Sequence, residues 1–196
     1  MLTAHDESLF RSSGYLEDGV IVDAGGGHHP ISDLPPFLRT LLVADGTVTK
    51  ALEAYFWEPV AVRPLQQKLE RHAGPIRGLA FGQEHPLLHR EVSLEGRDSG
   101  TRYALARSFL ALENLPTHFA EAIVAGKMGI GELLREQGVE TYRDIIGLDY
   151  LPRGAATDER LEKLDDDIVA RSYRISVSGV PAILVTEYFP VGRYLP

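Results

Sequence analysis

The chain has 196 residues, of which 44% are hydrophobic, and it carries a net charge of −8. This length and composition suit one domain with a single core, and the acidic balance argues against nucleic acid or an anionic membrane as a partner. Because the chain contains no cysteine, disulfides and a thiolate nucleophile are excluded. No apolar run approaches the roughly 18 residues of a membrane helix, so we expect a cytoplasmic protein.

The first 35 residues show no strong periodicity. The stretch VDAGGGHHPISDLPP is dense in residues that break helices and strands. We therefore predict that residues 1–35 form an N-terminal arm, either poorly ordered or wrapped around the protein. The domain itself is predicted to span residues 36–196.

Two helices are predicted directly after this arm. The segment PFLRTLLVAD places its apolar residues at helical spacing, and an Asp-Gly break ends it. Thr47 then stands where it can cap a second helix, VTKALEAYF. Neither helix has the basic face that a DNA-recognition helix requires.

Strand patterns follow the second helix. Residues 59–71 are predicted to form a strand, in which Pro64 indicates a sheet edge or a bulge. Residues 86–96 and 101–112 are predicted to form a hairpin, because the turn-rich sequence GRDSG connects them.

The second half of the chain continues the same alternation of helix pairs and hairpins. Two helices that end at glycines are predicted for LPTHFAEAIVAG and IGELLREQG. A strand is predicted for VETYRDIIGLDY, and a loop or short helix for TDERLEKLDDD. The last segment, IVARSYRISVSGVPAILVTEYFP, predicts two long strands around a turn at Ser178 and Gly179. Helices clustered between hairpins favour an α+β fold, a single domain with a largely antiparallel sheet.

Two charged residues occupy apolar strand faces. Side chains alternate along a strand, so Glu187 points the same way as Val185, and Arg90 the same way as Val92. An isolated buried charge is costly unless it is paired, hydrogen-bonded or neutralised. Arg90 and Glu187 could therefore form an ion pair within the sheet. Alternatively both could line a cavity, where an arginine fork binds a carboxylate and a glutamate exchanges a proton.

Two further features leave alternatives open. The glycines of GKMGIGELL would let backbone N–H groups approach an anion, but taken alone the pattern favours an ordinary connection between helices. Arg171 shares a strand face with Tyr173, so it could reach the rim of a pocket, although the pattern favours an acid on the sheet surface as its partner.

The order of these motifs is informative as a set. The chain resembles the chorismate pyruvate-lyase family, in particular its 4-hydroxybenzoate-forming actinobacterial members. The resemblance lies in five motifs and their order: DGTVTKALE, HREVSL, ALARSFLALENLP, GIGELL and ARSYRISVSGVPAILVTEYFP. The resemblance covers roughly residues 36–190, and the final strand pair is its most specific part. It implies a six-stranded antiparallel sheet with helices that form flaps over an internal pocket. It also implies conversion of chorismate to 4-hydroxybenzoate and pyruvate without a cofactor or metal.

The resemblance assigns roles to four residues. Arg90 matches the family arginine that binds the ring carboxylate, and Glu187 matches the glutamate that faces the ring hydroxyl, so these two are the predicted catalytic residues. Ile130 matches a position whose backbone N–H contacts the carboxylate. Val48 matches a flap residue that also contributes its backbone. All four are the predicted substrate-binding residues.

The resemblance leaves two other functions open. A related enzyme of natural-product biosynthesis could keep the pocket and act on another substrate. The same fold also serves as the small-molecule-sensing domain of some transcription regulators, normally after a basic winged-helix module. We expect a small-molecule ligand, a monomer or homodimer, and a product used in quinone or secondary metabolism.

Overall fold

The protein was analysed as a computed structural model that describes residues 19–72, 74–82, 85–126 and 128–195. Within these residues the strands are β1 (Val20–Val22), β2 (His28–Pro30), β3 (Val60–Glu70), β4 (Leu87–Gly96), β5 (Arg102–Leu110), β6 (Thr141–Leu151), β7 (Ile168–Val177) and β8 (Val180–Pro190). The α-helices are α1 (Pro36–Val43), α2 (Val48–Phe56), α3 (Thr117–Val124), α4 (Ile130–Glu136) and α5 (Glu159–Glu162). The predicted order of helices and strands from residue 36 onward is confirmed.

Strands β3 to β8 form one six-stranded sheet in the order β3-β4-β5-β8-β7-β6. Every neighbouring pair in this sheet is antiparallel. The predicted α+β fold with a six-stranded antiparallel sheet is therefore confirmed. Strand β8, the last along the chain, lies between β5 and β7 near the centre of the sheet.

Local turn chemistry explains two details of this sheet. The register of β3 against β4 shifts between Pro64 and Gln66, because proline has no N–H to donate to the ladder. β3 is also an edge strand, as predicted. Ser178 and Gly179 both have positive φ, 51° and 80°, the conformation that a tight two-residue hairpin turn requires.

Helices α1 to α4 cover one face of the sheet in two separate groups, whereas α5 lies on the opposite face, where its Leu161 packs with Leu105 and Ile168. Apolar residues of α1 and α2 pack around Val169 and Phe189 near one end of that face. Apolar residues of α3 and α4 pack around Ile175 and Ile183 near the other end. The middle of the face, between these two clusters, is where β4 carries Arg90 and β8 carries Glu187. The fold therefore leaves an opening above the two charges that break the apolar pattern.

The predicted N-terminal arm is described only in its second half. Residues 19–35 form the β1–β2 hairpin and a short 3-10 helix, with Ile21 and Ile31 buried in the same cluster as α1. Residues 1–18 lie outside the described residues, so the arm stays a prediction there. Among the described residues, no helix combines the length and apolar character needed to cross a bilayer.

Candidate active site

A cavity of about 410 Å³ lies between the two helix groups. Its floor is the middle of the sheet face, and its walls are residues 46–50 before and within α2 and residues 128–132 at the start of α4. The volume falls in the range of roughly 300–1,000 Å³ that small-molecule sites occupy. All four residues that the resemblance assigned, Arg90, Glu187, Ile130 and Val48, line this cavity.

Arg90 is a buried cation that no carboxylate in the described part of the chain neutralises. Its side chain is 2% exposed, and its Nη2 donates to the carbonyl oxygen of Met128 at 2.7 Å. Its Nε is buried without a hydrogen-bond partner. Burial lowers the pKa of the Arg90 guanidinium below its ordinary value, but arginine starts so high that it stays charged. The cavity therefore presents positive charge and unused donors to a ligand.

Glu187 is a buried acid that is held by the next strand, not by Arg90. Arg171 of β7 donates to Glu187 Oε2 from Nη2 at 2.6 Å and from Nε at 3.2 Å. The hydroxyl of Tyr173, also on β7, donates to the other oxygen, Oε1, at 3.2 Å. The sequence left two alternatives for these two charged residues, an ion pair within the sheet or a shared cavity. Arg90 and Glu187 do not form an ion pair, and both residues line the cavity.

Tyr173 is the second residue of β7 that donates a hydrogen bond to Glu187. Burial, together with the nearby Glu187 carboxylate, raises the pKa of the Tyr173 hydroxyl above its ordinary value. The hydroxyl therefore stays protonated at neutral pH and can only donate to Glu187. Sequence reasoning placed Tyr173 on the face of Arg171 but gave it no role, because its contact with Glu187 depends on the pairing of β7 with β8.

Two short loops, which we call the first flap (residues 45–48) and the second flap (residues 128–131), border the opening of the cavity. Val48 and Ile130 are the first residues of α2 and α4, and the first N–H groups of a helix have no partner within it. Both residues can therefore offer a backbone donor to a ligand. The predicted cap residue Thr47 stands at the N-cap position but makes no side-chain capping bond.

The two flaps touch each other through small residues. A Cβ added at Gly131 would lie 3.3 Å from both Cγ2 and Oγ1 of Thr47. The Thr47 side chain is thus placed against the second flap instead of over the first turn of α2. Close approach of the two loops favours glycine at position 131, which gives a local reason for part of the glycine-rich pattern.

Arg143 of β6 holds the first flap, and sequence reasoning missed it. Its Nη1 donates to the carbonyl oxygens of Asp45 at 2.8 Å and Gly46 at 2.6 Å. Its guanidinium lies 6.0 Å from the centre of the Tyr173 ring. No local pattern marks this residue, because the contact joins positions 98 and 97 residues apart in the chain.

We predict that Arg143→Met loosens the first flap while the sheet stays folded. The change removes two hydrogen bonds, each worth about 0.5–1.5 kcal/mol net, so amide hydrogen exchange at residues 45–48 should become about tenfold faster. Arg174→Met is the matched control, because Arg174 is a partly exposed arginine on neighbouring β7 that pairs with Asp144 at 2.6 Å. Equal exchange in the wild type and the Arg143 variant would show that other contacts hold the flap.

Comparison with known proteins supports a specific family. The family model "Chorismate pyruvate-lyase Rv2949c-like" matches residues 42–195. The chorismate pyruvate-lyase of Mycobacterium leprae is 31% identical over 154 residues, which cover 78% of this chain and 73% of the relative. The chorismate pyruvate-lyase of Mycobacterium tuberculosis is 27% identical over 157 residues, which cover 78% of both chains.

Solved structures match the fold at lower identity. The effector domain of PhnF from Mycobacterium smegmatis superposes with a TM-score of 0.57 at 15% identity, covering 77% of this chain and 92% of that chain. The structure of PhnF itself, from the same organism, superposes with a TM-score of 0.59 at 15% identity, covering 77% of this chain and 66% of that chain. These likenesses show the fold alone, whereas the family match extends over most of the sequence. The chain belongs to the chorismate pyruvate-lyase family and is an enzyme of the lyase class.

Proposed function

We propose that the protein converts chorismate to 4-hydroxybenzoate and pyruvate within the cavity between the flaps. The observation that carries the proposal is the arrangement of the two buried charges. On the floor of the cavity, β4 carries an arginine without a carboxylate partner among the described residues, and β8, two strands away, carries a glutamate whose two oxygens receive hydrogen bonds. An aromatic acid with a hydroxyl opposite its carboxylate complements both groups.

Arg90 is proposed to bind the ring carboxylate. A guanidinium offers parallel donors that match the two oxygens of a carboxylate, and a ligand carboxylate would supply the counter-charge that no described residue gives to Arg90. The bond from Arg90 to the carbonyl of Met128 places the guanidinium beside the second flap. The backbone N–H of Ile130, two residues further on, is proposed as an additional donor to the same carboxylate, and Val48 is proposed to donate from the first flap.

Glu187 is proposed to face the ring hydroxyl and to handle a proton. The reaction breaks the ether bond between the ring and the enolpyruvyl group, and a proton leaves the neighbouring ring carbon as the ring becomes aromatic. The released enolpyruvate takes up a proton and becomes pyruvate, so atoms and charge balance. Because Arg171 and Tyr173 donate to Glu187, we assign it the role of carboxylate acceptor and base.

Aromatisation makes the reaction favourable overall, so the protein has to lower the barrier and does not have to supply driving force. Holding the ring in one orientation can supply several kcal/mol of the barrier reduction. A positioned acid–base group contributes roughly a further 10²–10⁴-fold. These are the two contributions that Arg90 and Glu187 are suited to make.

The direct test is to incubate the purified protein with chorismate and separate the products by chromatography. We expect 4-hydroxybenzoate and pyruvate in equal amounts, at a rate that a chelator leaves unchanged. Chorismate that decays no faster than in buffer would contradict the proposal. Binding of 4-hydroxybenzoate without turnover would then favour a sensing domain, and no binding would favour an enzyme with another substrate.

A further inference from the structure

Arg171 is a buried arginine, and four of its five N–H groups donate within the protein. Two of its nitrogens donate to Glu187 Oε2, as described above, and its Nη1 donates to the carbonyl oxygens of Leu41 and, at 2.6 Å, Ala44. Its guanidinium also lies 5.0 Å from the centre of the Tyr173 ring, and the side chain is 2% exposed. Because Arg171 is not among the residues that line the cavity, any effect on the reaction must pass through its neighbours.

The contact between Arg171 and Glu187 is one-sided. Both donating nitrogens of Arg171 converge on Oε2, so the fork does not span the two carboxylate oxygens. The second oxygen, Oε1, receives only the Tyr173 hydroxyl, at 3.2 Å. Arg171 thus holds one oxygen of Glu187 and leaves the other able to meet a ligand.

The same guanidinium also fixes the base of the first flap. Leu41 lies in the last turn of α1, and Ala44 directly precedes residues 45–48. Carbonyl groups at the end of a helix have no partner within it, and Arg171 satisfies two of them. The orientation of Glu187 and the position of the flap base therefore depend on one side chain.

We propose that Arg171 is a positioning residue, which fixes the orientation of Glu187 and turns its Oε1 towards the ring hydroxyl of the substrate. A base must lie within hydrogen-bond reach of the proton that it accepts, so a side chain that fixes its orientation affects the reaction without touching the substrate. The inference rests on the proposed function, because it assigns Arg171 a part in the same reaction. It also corrects the expectation that Arg171 partners an acid on the sheet surface, since the partner is a buried acid of the cavity.

The test compares Arg171→Gln and Arg171→Lys by their kcat and KM for chorismate. Glutamine removes both the cation and the fork, so we expect the kcat of Arg171→Gln to fall by about a hundredfold. Arg171→Lys keeps the charge and tests the fork alone. Because lysine cannot reproduce the fork, we expect its kcat to fall by roughly ten- to a hundredfold with KM little changed.

The Glu187→Gln background separates positioning from folding. If Arg171 acts through Glu187, adding Arg171→Lys to Glu187→Gln should lower kcat no further. Arg107→Gln is the matched control, because Arg107 of β5 pairs with the buried Glu91 at 2.8 Å on the opposite face of the sheet, and the kcat of this variant should stay near the wild-type value.

Two results would overturn the inference. Folded Arg171→Gln with a wild-type kcat would show that Glu187 does not depend on this side chain. An equal loss of kcat from Arg171→Lys with and without Glu187 would show a structural role only. Wild-type turnover in the same assay tests the proposed function separately, so that failure of one is distinguishable from failure of the other.

Discussion

Glu187→Gln is expected to lower the turnover of chorismate by roughly 10²–10⁴-fold, the usual contribution of a positioned acid–base group. Glutamine keeps the shape of the side chain and an oxygen for Arg171, but it cannot take up a proton at neutral pH. 4-Hydroxybenzoate should still bind, because Arg90 and the flaps are unchanged. Steady-state turnover and equilibrium binding of the product measure the two effects separately.

A matched control for this variant is Glu91→Gln. Glu91 is a buried glutamate, 7% exposed against 5% for Glu187, and it pairs with Arg107 and Arg160. It lies on the opposite face of the sheet, because it alternates with Arg90 along β4. Both variants break a buried ion pair and should lose stability, but only Glu187→Gln should lose turnover. Near-normal turnover of Glu187→Gln would reduce this residue to a polar contact.

Arg90→Lys is expected to weaken the binding of 4-hydroxybenzoate by roughly ten- to a hundredfold, which corresponds to a lost charge-assisted hydrogen bond of about 1.5–3 kcal/mol. Lysine keeps the positive charge but not the two parallel donors. 4-Hydroxybenzaldehyde, which has no carboxylate, should bind the wild type and the variant almost equally. Titration calorimetry with both compounds measures this difference directly.

The alternative role for Arg90 is purely structural, and thermal unfolding distinguishes the two. If Arg90 mainly holds the second flap through the carbonyl of Met128, Arg90→Lys should lower the melting temperature. It should also weaken the binding of 4-hydroxybenzoate and of 4-hydroxybenzaldehyde by the same factor. That outcome would place the ring carboxylate elsewhere in the cavity. The control is Arg107→Lys, on the other face of the sheet. It shows how far an arginine-to-lysine change away from the cavity lowers the melting temperature.

Much of the fold could be predicted because its signals are local. The bulge near Pro64, the turn at Ser178 and Gly179, and the helices ending at glycine each depend on a few consecutive residues, and the structure has them all. Strand alternation has a period of two residues, so Arg90 and Glu187 could be recognised as charges on apolar faces without knowledge of the sheet. The family resemblance added the number of strands and the expected flaps.

The partners of these charges depended on information that no local pattern contains. Glu187 meets Arg171 because β8 pairs with β7 in one register, and β5 separates it from Arg90 on β4. Strand order and register are properties of the whole sheet, and a shift of one residue would turn each side chain to the other face. The sequence alone therefore left open whether Arg90 and Glu187 paired with each other.

The cavity itself was also decided by tertiary packing. Arg171 reaches carbonyl groups 130 and 127 residues earlier in the chain. Arg143 reaches the first flap, which is also about a hundred residues earlier in the chain. Such contacts form only when the two helix groups dock on the ends of one sheet face and leave its centre uncovered. The sequence by itself determined which side chains were out of place on their strands. The packing of helices on the sheet decided that these side chains share one buried site, because burial depends on what covers a residue as well as on the direction in which it points.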